Sequence, residues 1–439
     1  MNAAPAERQD RATPLRFGPY LYLAQTQPGF EGVAWEEIGA SFMDASEASQ
    51  LKRAAGAREL GRRSLPARAG ITIFAAPRPE PLRLLRASED ILAIVGYRHG
   101  LAGGAARLER IAAFAREAPY VEQALAARAR LRPGTRSGRR LRYRVIARMA
   151  GEHQFRRVDL ERAISRGIAE RDDHSWRSSP GEVDVEFWAI LLSNMLRKKS
   201  LPPASRLAFS HQPGRGRKEG SQLSSMVSRL PVQPITLSQQ RDDELILAIR
   251  LSDEWLRHRD YKVAHLPGSL RPAAAAALAL LSRPTPDDVV LDPFCGAGTI
   301  LIERAHLGRH RLLIGCDRNA EALAATRENV GPRYKPLELH QWEATALPLP
   351  DRSVSTIITN LPWGIRHGSH VENRRLYPRV LNEFHRLLQP AGKIVILTGE
   401  MRLMSDLMAR GHFRPDKILR VSILGASAAV YVSSASGGV

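Results

Sequence analysis

Val289-Val290-Leu291-Asp292-Pro293-Phe294-Cys295-Gly296-Ala297-Gly298-Thr299-Ile300-Leu301-Ile302-Glu303-Arg304-Ala305 reads as strand, turn and helix in succession. The opening Val-Val-Leu is β-branched, apolar and too short for a helix, which predicts a buried strand. Asp292-Pro293 stops it. Gly296-Ala297-Gly298 permits a tight turn with nothing projecting. Thr299 is read as the N-cap of a helix carrying Ile300, Leu301 and Ala305 at helical spacing. A glycine turn before a helix lets backbone approach a ligand and offers it unpaired N–H groups, the arrangement of a nucleotide-cofactor loop.

Glycines in this pattern also serve as plain punctuation. Two further features weigh against that here. Asp317 ends a second apolar strand, Leu312 to Cys316, roughly 25 residues after Asp292 and near the spacing of about 20 at which a carboxylate meets ribose hydroxyls. Thr359-Asn360-Leu361-Pro362-Trp363-Gly364 follows another apolar strand, Val354 to Ile358.

LDPFCGAGTILIERA together with TNLPWG resembles the S-adenosylmethionine-dependent RNA methyltransferases that carry a THUMP RNA-binding domain. The branch it is most similar to methylates the 2-amino group of guanosine in tRNA. The resemblance implies S-adenosylmethionine as cofactor. It implies a cofactor site of His265, Asp292, Phe294, Gly296, Gly298, Thr299, Asp317, Glu343, Ala344 and Asn360. Glu343 stands where the family usually has Asp beside the adenine amino group. His265, read alone, is a structural residue.

An exocyclic amine is a poor nucleophile, because its lone pair is delocalised into the base. A site for it must hold the amine in line and accept its hydrogen bonds. Asn360 offers an amide oxygen and Leu361 a main-chain carbonyl. Pro362 stiffens the turn and Trp363 is read as a stacking plate for the base. These four are the candidate catalytic residues. No metal is expected, and Cys295 and Cys316 read as small buried residues.

The chain has 439 residues, enough for two or three domains, and a formal net charge of +20, which favours polyanionic partners. The opening segment lacks a secretory pattern and no apolar run approaches membrane-spanning length, so a cytoplasmic protein is expected, away from membranes. A monomer is favoured.

The predicted fold is α/β. After a disordered lead (1–18), the resemblance implies a ferredoxin-like α/β domain (19–100) and an α+β THUMP-like RNA-binding domain (101–200). A basic connector follows (201–260). Over 261–439 the alternation of strands and helices predicts a doubly wound sheet ending in an antiparallel strand pair, which the resemblance identifies as a Rossmann-like class I methyltransferase domain. One helix is expected over 105–129 and another over 265–281. The strand from Glu182 onward begins with polar and apolar residues alternating. Candidate RNA contacts are Arg144, Arg148, His153, Arg197, Lys198, Lys199, Arg215, Arg217 and Lys218. The segment 197–220 is either an exposed linker or an arm on RNA phosphates.

The expected function is methyl transfer to an exocyclic amine in structured RNA, most simply guanosine in tRNA. A ribosomal RNA guanosine methyltransferase, a nucleic-acid adenine methyltransferase and a non-catalytic RNA-binding protein are the alternatives. A nicotinamide oxidoreductase is disfavoured, because Asp292-Pro293-Phe294 replaces the leading glycine.

Overall fold

The structure, a computed structural model, describes residues 20–43, 56–65, 69–100, 106–135, 138, 140–151, 153–192, 243–253, 256–364 and 369–434. The lead at 1–18, Arg197, Lys198, Lys199, Arg215, Arg217 and Lys218 lie outside these residues.

The N-terminal half runs β1 (Tyr20–Thr26), α1 (Glu31–Ser41), β2 (Arg58–Leu65), β3 (Ala69–Ala76), β4 (Asp90–His99), α2 (Arg107–Arg116) and α3 (Val121–Leu131). It continues with β5 (Arg140–Ala150), α4 (Arg157–Ala169), β6 (Ser175–Ser178), β7 (Val185–Leu192) and β8 (Glu244–Arg250). Among the described residues, these eight strands form one sheet in the order β2-β3-β1-β4-β8-β7-β5-β6.

Two expectations are corrected here. The single helix over 105–129 is two helices, because Pro119 cannot donate to a helix and disfavours the helical conformation of the residue before it. The stretch from Glu182 does not alternate between core and solvent. All of Val185–Leu192 is buried. Phe187, Ala189 and Leu191 enter one apolar cluster, while Trp188, Ile190 and Leu192 enter another on the opposite face. Leu245 to Ile249, inside the stretch read as a connector, is an apolar run that reads as a strand, and Glu244–Arg250 is one, interior and antiparallel to both β4 and β7. Its sequence, ELILAIR, is apolar on both faces between its charged end residues, which suits a strand with no side open to water.

The C-terminal half begins with α5 (Pro272–Leu281), β9 (Val289–Asp292), α6 (Thr299–His306), β10 (Leu312–Cys316), α7 (Ala320–Val330) and β11 (Leu337–His340). It closes with β12 (Val354–Asn360), α8 (His370–Leu387), β13 (Leu388–Thr398), α9 (Met401–Arg410), β14 (Lys417–Ile423) and β15 (Ala426–Ser434). Seven strands of the described residues form a sheet ordered β11-β10-β9-β12-β13-β15-β14. The pairs from β11 through β13 are parallel, and β15 runs antiparallel to both β13 and β14. The winding reverses between β9 and β12, where open α/β sheets bind ligands outside the strand carboxyl ends. The helix expected from 265 starts only at Pro272, since 265–271 is irregular around Pro267 and Gly268, the latter at φ 82°.

The two halves are packed together. Phe30, Val33, Ala34 and Ala87 join Ala274, Ala277 and Leu278 of α5 in one buried cluster. Pro28 accepts a bond from Ser422 N at 2.9 Å, which covers part of the β14 edge. Gly29 sits at φ 98°, and a Cβ there would lie 2.2 Å from the Arg420 carbonyl oxygen, so only glycine allows this approach. At the junction Glu303 is fully buried. It accepts from Arg86 Nε at 2.6 Å, Arg86 Nη2 at 3.1 Å and the Tyr261 hydroxyl at 2.7 Å. Arg259 Nε lies 3.5 Å away.

Removing one partner of a buried charge cluster strands the others without compensation. Glu303→Ala is therefore expected to lower unfolding stability by about 3–5 kcal/mol, read by denaturant unfolding followed by tryptophan fluorescence. A loss under about 1 kcal/mol, the value of an exposed pair, would show that this junction does not hold the halves together.

Candidate active site

The loop after β9 is shaped by two left-handed glycines, Gly296 at φ 54° and Gly298 at φ 75°. Gly298, not Thr299, is the N-cap of α6, and Thr299 is the first helical residue. This corrects the expected cap. The chain must turn through a left-handed conformation that Thr resists. A Cβ on Gly298 would also fall 2.7 Å from Thr326 Cγ2.

Helix α7 buttresses this loop. Thr326 donates to the Gly296 carbonyl at 2.6 Å, and Asn329 Nδ2 donates to the Ala297 carbonyl at 2.9 Å. Asn329 also bonds Ala264, accepting from its N–H at 2.8 Å and donating to its carbonyl at 3.1 Å. Sequence reasoning missed both residues. The available signal was two polar side chains, three apart, on the buried face of α7, where they share that face with Leu323 and Val330.

Two carboxylates flank the loop. Asp292 is 1% exposed. Its Oδ1 accepts from Thr359 Oγ1 at 2.8 Å and from Phe294 N at 3.3 Å. Its Oδ2 has no partner among the described residues, and neither has the buried hydroxyl of Thr299. Burial pushes the Asp292 carboxyl up to about 7, with the nearby Asp317 charge adding to the rise. Asp317 is half-buried. It accepts from Gly296 N at 3.1 Å and Asn319 N at 2.9 Å.

The remaining expected cofactor residues are placed unequally. Phe294 is half-buried against the cluster around Leu291 and Leu361. Ala344 is buried, whereas Glu343 is exposed. His265 is exposed on the loop before α5, next to the Ala264 backbone that Asn329 holds.

Strands β9 and β12 pair in parallel, Val290 with Thr356 and Leu291 with Ile357. Their carboxyl ends, Asp292 and Asn360, therefore share one edge of the sheet. Leu361 donates its N–H to the Leu397 carbonyl at 3.0 Å and buries its side chain completely. Asn360 Oδ1 accepts from the Trp363 indole N–H at 3.0 Å. The Trp363 ring lies against Gly399, where an added Cβ would come within 2.8 Å of the ring. The turn thus differs from the expected picture of a free amide oxygen beside a free stacking plate. One lone pair of Asn360 is engaged, and one side of the indole is covered.

The candidate RNA residues on β5 have structural partners. Arg144 Nε donates to Glu186 at 2.7 Å, and the Arg148 guanidinium lies 5.4 Å from the Trp188 ring centroid. His153 Nε2 is 3.2 Å from the Ala150 carbonyl, and burial lowers the pKa of its ring. Among the described residues, no group of three or more His, Cys, Asp or Glu is arranged to hold a metal ion. No helix among them is long and apolar enough to cross a membrane.

Residues 259–428 match the RMKL-like methyltransferase domain model. The chain is also similar to mouse tRNA (guanine(6)-N(2))-methyltransferase THUMP3, 35% identical over 208 residues. That alignment covers 44% of this chain and 41% of the mouse protein, so the chain matches less than half the length of this relative. In fold, the chain is similar over 95% of its length, and over 99% of the other's, to TrmN from Thermus thermophilus, with TM-score 0.63 and 21% identity. It is also similar to a candidate methyltransferase solved with SAH, TM-score 0.60 and 14% identity, covering 97% of this chain and all of that one.

The residues present fit S-adenosylmethionine. Two buried oxygens without partners among the described residues, Asp292 Oδ2 and Thr299 Oγ1, flank a glycine turn, and a Cβ added at Gly296 would meet nothing within 4 Å. The start of α6 offers N–H groups to an anionic group.

The Asp292 pKa sets a pH dependence. A carboxyl whose folded pKa lies above its ordinary value of 3.8 binds its proton more tightly when folded. Its contribution to stability is present below pH ~4 and is lost as pH rises through about 7. Asp292→Asn, which keeps the acceptor for Thr359 and cannot ionise, is expected to gain stability relative to wild type across that window. Parallel unfolding curves for the two proteins from pH 4 to 8 would overturn this assignment.

Proposed function

We propose that this chain transfers a methyl group from S-adenosylmethionine to the 2-amino group of a guanosine in tRNA. The observation that carries the reading is the placing of the Asn360–Trp363 turn beside the glycine loop, at one carboxyl edge of the sheet, linked by Thr359 to Asp292. The likeness to a tRNA guanine-N2 methyltransferase supports the choice of substrate.

When bound, the cofactor supplies a methyl on a positively charged sulfur, open to in-line attack. The glycine loop, Asp292, Thr299 and Asp317 would hold it. Asn360 then orients the incoming amine. An amide oxygen has two lone pairs, and Trp363 occupies one. The other is left for a hydrogen of the target amine, and the Leu361 carbonyl is the second acceptor. The indole bond also fixes which end of the Asn360 amide is oxygen, so that the acceptor faces the amine before it arrives. Trp363 therefore acts through Asn360 as well as through any contact with the base. Asn360 is not a base, and the amine proton leaves to solvent after transfer.

The basic N-terminal half supplies phosphate contacts in this reading, giving affinity that falls with salt and little sequence discrimination.

The test is transfer of labelled methyl to bulk tRNA followed by nucleoside analysis. N2-methylguanosine is expected; methyladenosine would overturn the substrate. Asn360→Ala is expected to cut turnover by about 10²–10³ with near-normal cofactor affinity. Trp363→Phe separates the two roles of the indole, because it keeps an aromatic ring and loses the N–H. A turnover loss of roughly tenfold at unchanged KM for tRNA fits loss of an orienting bond worth about 1.4 kcal/mol. Wild-type turnover in Trp363→Phe would leave stacking as the indole's role. The logarithm of tRNA affinity should fall linearly with the logarithm of salt concentration, and a flat response would remove the phosphate contacts.

A further inference from the structure

The turn that carries Asn360 is gripped from outside. The Pro362 carbonyl accepts two hydrogen bonds from α8, Asn373 Nδ2 at 3.0 Å and the Tyr377 hydroxyl at 2.6 Å. Asn373 is 1% exposed and Tyr377 is fully buried. The Tyr377 hydroxyl also lies 2.7 Å from Thr398 Oγ1, which accepts from the Glu400 N–H at 2.9 Å. Asn373 Nδ2 reaches Glu400 Oε1 as well, at 3.0 Å.

The proton positions follow from counting. Tyr377 has one hydroxyl hydrogen, and a carbonyl can only accept. That hydrogen therefore goes to Pro362, so the Thr398 hydroxyl must donate to Tyr377. Thr398 is then free to accept from Glu400. A chain runs in one direction, Glu400 N–H to Thr398 O–H to Tyr377 O–H to the Pro362 carbonyl. Such head-to-tail chains strengthen one another, and more so when buried. The end of this chain holds the peptide plane between Pro362 and Trp363. Trp363 in turn bonds Asn360 Oδ1 and rests on Gly399, which lies between Thr398 and Glu400.

We propose that Tyr377, with Asn373 and Thr398, is a positioning residue for methyl transfer, fixing the Asn360 acceptor through the Pro362 peptide and the Trp363 indole. This rests on the functional reading above for its kinetic consequence, but the grip itself does not. Tyr377 touches none of the reacting groups. Its effect belongs to turnover, because it sets the orientation of an acceptor and makes no contact with cofactor or RNA. A small misplacement of an orienting group costs up to about a hundredfold in rate.

The experiment compares the full-length protein with Tyr377→Phe, Thr398→Val, Thr398→Ser and the double variant Tyr377→Phe/Thr398→Val. Tyr377→Phe is expected to lower kcat by about tenfold to a hundredfold, with KM for tRNA and for S-adenosylmethionine within about twofold of wild type. Thr398→Val should show the same split, and Thr398→Ser, which restores the relay, should return near wild-type turnover. The double variant should lose little more than either single one, as members of one chain do. A loss confined to melting temperature, a loss shared equally by KM, or additive losses would overturn the proposal. Hydrogen exchange of the peptide spanning residues 357–364 is the second readout and needs no substrate. Faster exchange there in Tyr377→Phe supports the grip, and unchanged exchange overturns it. If wild type transfers no methyl to tRNA, the functional reading fails on its own, and exchange still decides whether Tyr377 holds the turn.

Discussion

The parallel pairing of β9 with β12 is the constraint on which the site depends. Two strands far apart in sequence end at one edge, one in Asp292 and the other in Asn360. The Thr359 hydroxyl fixes their relative height by bonding Asp292 across the pair. Everything at the edge is referenced to that pair. The glycine loop leaves from one strand, the Asn-Leu-Pro-Trp turn from the other, and the winding reversal opens the crevice between them. A buried carboxylate at such a point is costly unless something satisfies it. Burial raises the Asp292 pKa, and protein donors serve only one of its oxygens, so a ligand donor fits the other.

A second principle recurs across the chain. Polar side chains inside the molecule are used to hold backbone rather than to meet solvent. Asn329 bonds the Ala264 backbone twice and the Ala297 carbonyl once. Tyr377 and Asn373 both hold the Pro362 carbonyl. Each bonds a loop carbonyl that the parallel ladder leaves without a strand partner, and an unpaired buried carbonyl would cost on the order of 1–3 kcal/mol. Loops placed this way are rigid without being part of a helix or strand, which is what a site needs when a reacting atom must be located closely.

The junction between the halves follows the same logic with charge. Glu303 gathers Arg86, Arg259 and Tyr261 in a dry interface, while Gly29 lets the backbone reach β14. Such a cluster is poor evidence for stability compared with an apolar contact, but it is selective, because a mispacked interface would leave a buried charge alone.

The sequence alone determined the strand–turn–helix of the glycine loop, the later strands of the parallel sheet and the closing antiparallel pair. These elements carry strong local signals: β-branched runs, glycines and short polar breaks. It also brought Asp292, Asp317 and the Asn360 turn into one reading, because each stands at the end of an apolar strand. Tertiary structure decided what local pattern cannot express. Glu244–Arg250 is an interior strand only because β4 and β7 lie on either side of it. The helix expected at 105–129 divides at Pro119, a signal that was present and outweighed by the apolar periodicity on both sides. Thr299 looked like a cap because its side chain can cap, but the loop needs a left-handed residue and Gly298 takes the place. Asn360 and Trp363 were legible as a pair of functional groups, yet only packing against Gly399 aims the indole at the amide oxygen. Thr326, Asn329, Asn373 and Tyr377 lie on helices outside the loops they hold, 11 to 32 residues from the carbonyls they bond. Their roles arise from distances across the fold, and a one-dimensional pattern carries those only as an unexplained polar residue on a buried face.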